Sequence, residues 1–288
     1  MLTHNILKMK FLKQKFNDQS GLIDQFLLPG NVLKKLENQI PKDLARKFVN
    51  QFLEKMENEG IFNREIRDAV SDQNPWSVDF PSWYGPFDEN AGKRFFIIGA
   101  EPHIHFEYIQ SVYQLNGEAG TTPRHEIFDF LVSLLGDKDD CDKVLSDIYM
   151  TDLFPLAPKR GNGKHVGSTA RLEELLKGVG SWHGLRRKYA KSNLAQEIEA
   201  VRPELVITQG KVVFDEVVFA LSIESPATSF RIESRTKGVQ NQSSRMVKWK
   251  NCKIISIPHV GTMRHRAFYR NQVGDVSRVL NNVLAEKV

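Results

Sequence analysis

Residues 93–106 read KRFFIIGAEPHIHF, and the reading of the fold starts there. Four apolar residues, Phe95 to Ile98, run straight into Gly99, Ala100, Glu101, Pro102 and His103. A short continuous apolar run stopped by Gly and Pro predicts a buried strand of a parallel sheet, because such strands are covered on both faces. The strand ends in a turn that carries a carboxylate and two imidazoles, His103 and His105. In open α/β sheets, ligands bind outside the carboxyl ends of the strands, so this turn is a candidate site. A plain polar surface turn is the competing reading of the same residues.

Downstream, the pattern repeats. A polar gap with Gly117, Gly120 and Pro123 precedes a predicted helix over His125 to Leu135. Ser146 to Leu156 (SDIYMTDLFPL) predicts a second strand, with Asp152 in its polar end. It runs into APKRGNGK (157–164), a Gly-rich basic loop whose amides and cations, Lys159 and Arg160 among them, suit phosphates. The loop lacks the Gly-Lys-Ser/Thr ending of a P-loop, which excludes that nucleotide-triphosphate site. Helical spacing returns at Ser168 to Leu176 and at Ser192 to Val201. LVITQG (205–210) predicts a third strand, and Val212 to Leu221 a helix. The polar stretch 225–250 reads as a hairpin. Lys253 to Ile257 is a fourth strand with a turn at Pro258 to Met263, and Ala267 to Leu284 is a closing helix. Strands alternating with helices predict a parallel, doubly wound sheet.

Upstream, Leu33, Leu36, Ile40, Leu44, Phe48, Phe52 and Met56 recur at threes and fours, the spacing of one helix face. Pro41 interrupts the series, so two helices are expected. Residues 71–90 (SDQNPWSVDFPSWYGPFDEN) hold three prolines and two tryptophans and predict a loop-rich bridge. Trp76, Trp83 and Tyr84 suit base stacking, but such rings more often pin a loop to the body. The expected organisation is an N-terminal helical segment and bridge over 1–90 and an α/β domain over 91–288.

The chain has 288 residues, 41% of them hydrophobic, ample for a core. No apolar run approaches the roughly 18 residues that span a bilayer. Cys141 and Cys252 are the two cysteines, without a CxxC, so neither a cysteine zinc site nor an iron–sulfur cluster is expected. A reduced, cytoplasmic protein without membrane partner follows. The net charge of +5 is uneven: residues 1–90 hold 12 Lys/Arg against 13 Asp/Glu. Residues 231–270 hold ten Lys/Arg against Glu233, and 159–191 hold nine against Glu173 and Glu174. Such concentrations are the footprint of a phosphate-backbone partner, and a solvated basic surface is the alternative. His105, His125 and His165 have no ligand spacing such as HExxH, so no metal and no cofactor is expected.

Taken together, residues 93–285 resemble the uracil-DNA glycosylase superfamily. Gly99-Ala100-Glu101-Pro102-His103 is similar to its first motif, GQDPYH or GEAPG, with Glu101 at the aspartate's place and His103 at the tyrosine's. His259-Val260-Gly261-Thr262-Met263, after IISIP, is similar to its second motif, H-P-S-P-L. IYMTDLFPLAP resembles the Y-I-T-N segment, with Asp152 at the asparagine's place, and EIEAVRPELVITQG resembles the helix and strand between. The resemblance implies a three-layer α/β/α fold around a four-stranded, mainly parallel sheet. It also implies DNA, single or double stranded, as partner.

The chemistry can be stated on its own terms. Cleaving an N-glycosidic bond builds positive charge on the sugar and negative charge on the departing base. The enzyme needs a carboxylate beside the sugar and a donor aimed at the base oxygen. Glu101 and His259 are residues of those types at the ends of the first and last strands. By resemblance, Gly99, Ala100, Pro102, His103, Asp152 and Phe154 would line the base pocket. A carboxylate at 152 accepts hydrogen bonds only, which favours a base edge bearing an amino group over uracil itself. Met263 aligns with the apolar residue that fills the gap left by a flipped base. Gly261, Thr262, Arg264, Arg266 and Arg270 would hold the flanking phosphates. Two rivals share these residues: a binding module on the same fold that does not turn over, and an enzyme of small nucleosides that needs no basic faces.

Overall fold

The computed structural model describes residues 13–19, 42–68, 76–80, 82–83, 94–100, 109–111, 135, 144, 147–158, 173–174, 176–232, 242–258 and 266–285. The four apolar runs form strands as expected. They are β3 (Phe95–Gly99), β5 (Ile148–Asp152), β7 (Leu205–Gln209) and β10 (Cys252–Ile257). Each pairs in parallel with its neighbour in the order β5-β3-β7-β10. Every residue of β3, β7 and β10 is buried, which is why these stretches read as unbroken hydrophobic runs rather than as alternation.

The sheet is larger than the four strands expected from the sequence. Among the described residues it has seven, in the order β2-β5-β3-β7-β10-β9-β8. β8 (Thr228–Ile232) and β9 (Gln242–Trp249) form the antiparallel hairpin that lies within 225–250, with Thr228 opposite Met246. β9 also pairs antiparallel with β10. At the other edge β2 (Ser82–Trp83) pairs antiparallel with β5. The hairpin expected over 225–250 supplies two of the extra strands, TSFRI and QSSRMVKW, while the third, SW, is too short to show a run. The bridge also holds β1 (Trp76–Phe80), which pairs in parallel with β4 (Ile109–Ser111) and antiparallel with β6 (Leu156–Pro158) in a second, three-stranded sheet. Trp76 is buried and packs on Phe62 and Trp182, a structural pin rather than an exposed stacking platform.

The helices with described bounds are α1 (Lys42–Asn58), the short α2 (Arg64–Asp68), α3 (Trp182–Val201), α4 (Lys211–Ala220) and α5 (Arg266–Ala285), and residues 13–16 are helical as well. α1 starts directly after Pro41, where the sequence predicted a break. On one side of the sheet Phe96, Ile98, Tyr149, Val206 and Ile254 join a core with Phe48 and Phe52 of α1 and with the buried faces of α3 and α4. Phe16, ahead of α1, stacks into it at 5.5 Å from Phe48 and 5.2 Å from Phe52. Lys253, on the opposite side of β10 from Ile254, donates from Nζ to the carbonyl of Val283 in α5.

α3 is ten residues longer than the helix expected from Ser192 to Val201, and the reason is chemical. Its buried face includes Arg186 and Glu197 beside Trp182, Leu185, Tyr189, Leu194 and Ile198. Two charges on the core face blur the apolar period. Each has a partner inside: Arg186 is held by Glu216 of α4 at 2.7 and 2.5 Å, and Glu197 by Lys15. Ser181 caps the helix by accepting from Gly184 N, and Glu173 accepts from Trp182 N and His183 N at 3.1 and 2.9 Å, a carboxylate at the positive helix end. The helix ends where Arg202 turns left-handed (φ 52°) ahead of Pro203.

Candidate functional site

The four parallel strands place the site. The chain passes from β3 to β5 on one side, then returns to β7 and β10 on the other. That reversal opens a crevice outside the carboxyl ends of β3 and β7. β3 ends there in Gly99 and Ala100, and β7 in Gln209 and Gly210. Gly210 (φ 96°) makes the tight exit, donating its N–H to Ile257 O at 2.8 Å, and α4 begins at the next residue.

The register fixes which side chains meet there. Gly99 pairs with Asp152 across β3 and β5, and Leu153 N continues the pairing to Gly99 O at 2.9 Å. Asp152 leans over the glycine: a Cβ at position 99 would lie 2.1 Å from its Oδ1. Only glycine leaves room for the carboxylate. Ile257 pairs with Gln209 at the same level on the other side. Continuing the ladders by one and two residues sets Gln209 beside Gly99 and Ser244 of β9 opposite Ile257. The row at the carboxyl end therefore reads Asp152, Gly99, Gln209, Ile257, Ser244. One row earlier, on the same face, it reads Met150, Ile97, Ile207, Ile255, Met246, entirely apolar.

Residues of β5 on the opposite face hold a buried polar knot. Lys15 Nζ donates to Glu197 Oε1 and, at 3.3 Å, to Thr151 Oγ1. Tyr149 Oη donates to the same Glu197 oxygen at 2.7 Å. Tyr189 is fully buried nearby, its hydroxyl without a hydrogen-bond partner among the described residues. Burial first, then the charge of Glu197 and Glu59, raises its phenol well above the usual value. The knot ties the 13–18 segment to the strand that carries Asp152.

Of the residues expected at the site, Gly99, Ala100 and Asp152 stand together at the ends of β3 and β5. Phe154 is a core residue: it is 0% exposed and packs on Phe62, Trp182 and Tyr189 at 6.1, 5.1 and 5.2 Å. Arg266 and Arg270 lie on the first turns of α5. Glu101, Pro102, His103, Lys159, Arg160, His259, Gly261, Thr262, Met263 and Arg264 lie outside the described residues. So do His105, His125 and His165. Sequence reasoning passed over Gln209, although a polar residue closing an apolar strand run before a glycine was a visible signal. Lys15, deep in the core, left none.

Two of the basic residues counted toward a phosphate-binding face are interior. Lys253 and Arg186 are 2% and 4% exposed. Arg245 pairs with Asp215 at 2.6 Å and Lys250 with Glu199. Cys252 is buried and its thiol donates to Trp249 O; burial pushes it up to about 11, so it is no nucleophile near neutral pH. Among the described residues no group of three or more His, Cys, Asp or Glu is placed to hold a metal, and no helix is long and apolar enough to cross a membrane. Compared with known proteins, the chain matches no family model and no curated protein.

Proposed function

We propose that this chain is a DNA N-glycosylase of the uracil-DNA glycosylase type, acting on uracil or another modified base. The observation that carries the reading is the Gly99–Asp152 pair. The glycine of the first motif and the carboxylate of the Y-I-T-N-like segment belong to different stretches of sequence, and they meet at the carboxyl end of the sheet. In the sequence Glu101 comes two residues after Gly99, the end of β3, and His259 two residues after Ile257, the end of β10. Their strands have β7 between them, so the two exits are about 10 Å apart, room for a nucleotide between two loops.

In this reading Glu101 positions water and stabilises the cationic sugar, while His259 donates to the base oxygen as the leaving anion forms. Asp152 accepts from the edge of the base. Flipping the base out of a duplex costs a few kcal/mol, offset by Met263 filling the gap and by arginines on the phosphates. A three-layer α/β/α architecture belongs to the same proposal, supported by the burial of β3, β7 and β10 on both faces. So do DNA as partner and a reducing, cytoplasmic setting.

The test is cleavage of end-labelled oligonucleotides, with hot alkali to break abasic sites. Uracil, hypoxanthine, xanthine and C5-modified pyrimidines are offered in single and double strands, with wild type beside Glu101→Gln. Cutting by wild type that falls at least about 100-fold in the variant is expected. No cutting on any strand, with salt-sensitive binding retained by the variant, sinks hydrolysis and leaves a binding module.

A further inference from the structure

The carboxyl-end row is built unlike the rest of its face. The row before it is Met150, Ile97, Ile207, Ile255 and Met246, the composition of a sheet packed against helices. Then Gln209 and Ser244 appear, both in the interior: Gln209 is 5% exposed and Ser244 is 0%. Among the described residues the fully buried Ser244 hydroxyl has no hydrogen-bond partner, and no hydrogen bond holds the Gln209 amide. Buried polar side chains are nearly always paired, since an unpaired one forfeits its water without recompense. A buried orphaned hydroxyl and an uncommitted amide in one row, the amide on β7 where the strand order reverses, suit a partner that is not the protein.

The chemistry of the row narrows that partner. Gln209 offers two N–H donors and one carbonyl acceptor in a planar fork. Asp152 leans toward it over Gly99, which contributes no side chain between them. A carboxylate in the row works against a phosphate or carboxylate ligand. What fits a flat amide beside an acceptor is the edge of a neutral heterocycle with a donor atom next to an acceptor atom, the pattern that amides read bidentately in nucleobases.

We propose that Gln209 is a further base-reading residue: its amide hydrogen-bonds the edge of the nucleobase over Gly99, beside Asp152. This rests on the glycosylase reading for the identity of the ligand, but not on catalysis. Gln209 lies at the end of β7, the strand between those that lead to Glu101 and His259. Ser244, one strand beyond Ile257, extends the same polar row.

The experiment measures binding of free adenine, cytosine and uracil to the full chain by calorimetry, with melting temperature recorded for each variant. Gln209→Leu is close in volume and apolar. It is expected to weaken binding of the preferred base at least about tenfold while leaving the melting temperature unchanged, because no described residue bonds the amide. Gln209→Glu, which keeps the shape but loses the N–H donors, should weaken it as well. Ser244→Ala is expected to raise the melting temperature. Unchanged base affinity in Gln209→Leu overturns the proposal. So does a lower melting temperature in both Gln209→Leu and Ser244→Ala, which would show that the row is satisfied from within. Base binding that depends on Gln209, without cleavage of any oligonucleotide, sinks hydrolysis and supports this inference. Cleavage without measurable binding of any free base does the reverse.

Discussion

The carboxylate of Asp152 occupies the space that a side chain at position 99 would need. A Cβ built on Gly99 would stand 2.1 Å from Oδ1 and 3.3 Å from Cγ of Asp152. The two residues are the last register pair of the parallel strands β3 and β5, tied on by Leu153 N to Gly99 O, so neither backbone withdraws without loosening the end of that ladder. The glycine is there for a neighbour, not for its own dihedral freedom.

Gly99→Ala should therefore move the carboxylate and little else. Asp152 is forced to another rotamer, at about 0.5–1.5 kcal/mol of stability. Urea unfolding measures that cost. Base binding or cleavage should fall more steeply than stability, because the displaced group is the one set over the crevice. Adding Asp152→Ala to Gly99→Ala should restore the melting temperature without restoring activity. If the double variant is no more stable than Gly99→Ala, the crowding does not come from Asp152.

The buried Lys15–Glu197 pair gives a second prediction. Both side chains are 3% exposed, and Glu197 also accepts from Tyr149. Removing one partner of a buried pair leaves an uncompensated charge and typically costs about 3–5 kcal/mol. Lys15→Met should lose about that much in urea unfolding. Lys15→Met with Glu197→Met should lose less than Lys15→Met alone, since both charges then leave together. A strictly additive double variant would show that the pair is not coupled.

How much of this was legible in the sequence follows from burial. The parallel strands announced themselves because they are covered on both faces: FFII and LVIT leave few alternatives. The edge strand SW did not, since two residues carry no run, whereas TSFRI was legible only as part of the polar hairpin expected over 225–250. α3 was read ten residues short because Arg186 and Glu197 sit on its core face, and their partners lie at Glu216 and Lys15, 30 and 182 residues away in the chain. Pairing across such separations has no local signal. For the site, the Gly99 and Asp152 positions came from motif resemblance, whereas the row that joins Asp152 to Gln209 exists only in the register. Phe154, expected in the pocket, went to the core because an aromatic next to a strand end packs where other rings already are.

Alkaline pH should destabilise the fold through Cys252 and Tyr189. Burial raises the Cys252 thiol from 9.0 to about 11, and burial with Glu197 raises Tyr189 from its ordinary value. Groups raised in the folded state hold protons that the unfolded chain releases, so their contribution is full below the unfolded pKa and is lost as pH climbs through the folded one. For Cys252 that window is about pH 9 to 11, and two units correspond to about 2–3 kcal/mol. Melting temperature measured across this range should fall, and fall less in Cys252→Ala. A profile that Cys252→Ala leaves unchanged would show that the thiol is not the titrating group.

The basic segments predict a steep salt dependence, with exceptions that the structure names. A polyanion partner neutralised at Z phosphates gives a slope of log K against log salt near −0.9Z, and about −0.7Z for single strands. Binding of a labelled oligonucleotide should therefore weaken strongly between low and physiological salt. Lys159→Ala and Arg160→Ala should each flatten the slope by about one. Arg186 stands apart. It lies inside the 159–191 segment, but its guanidinium is clamped on Glu216, so Arg186→Gln should lower stability and leave the slope as it is. A flat salt profile would turn the reading toward small nucleosides, because such a substrate gives the basic residues no string of phosphates to neutralise.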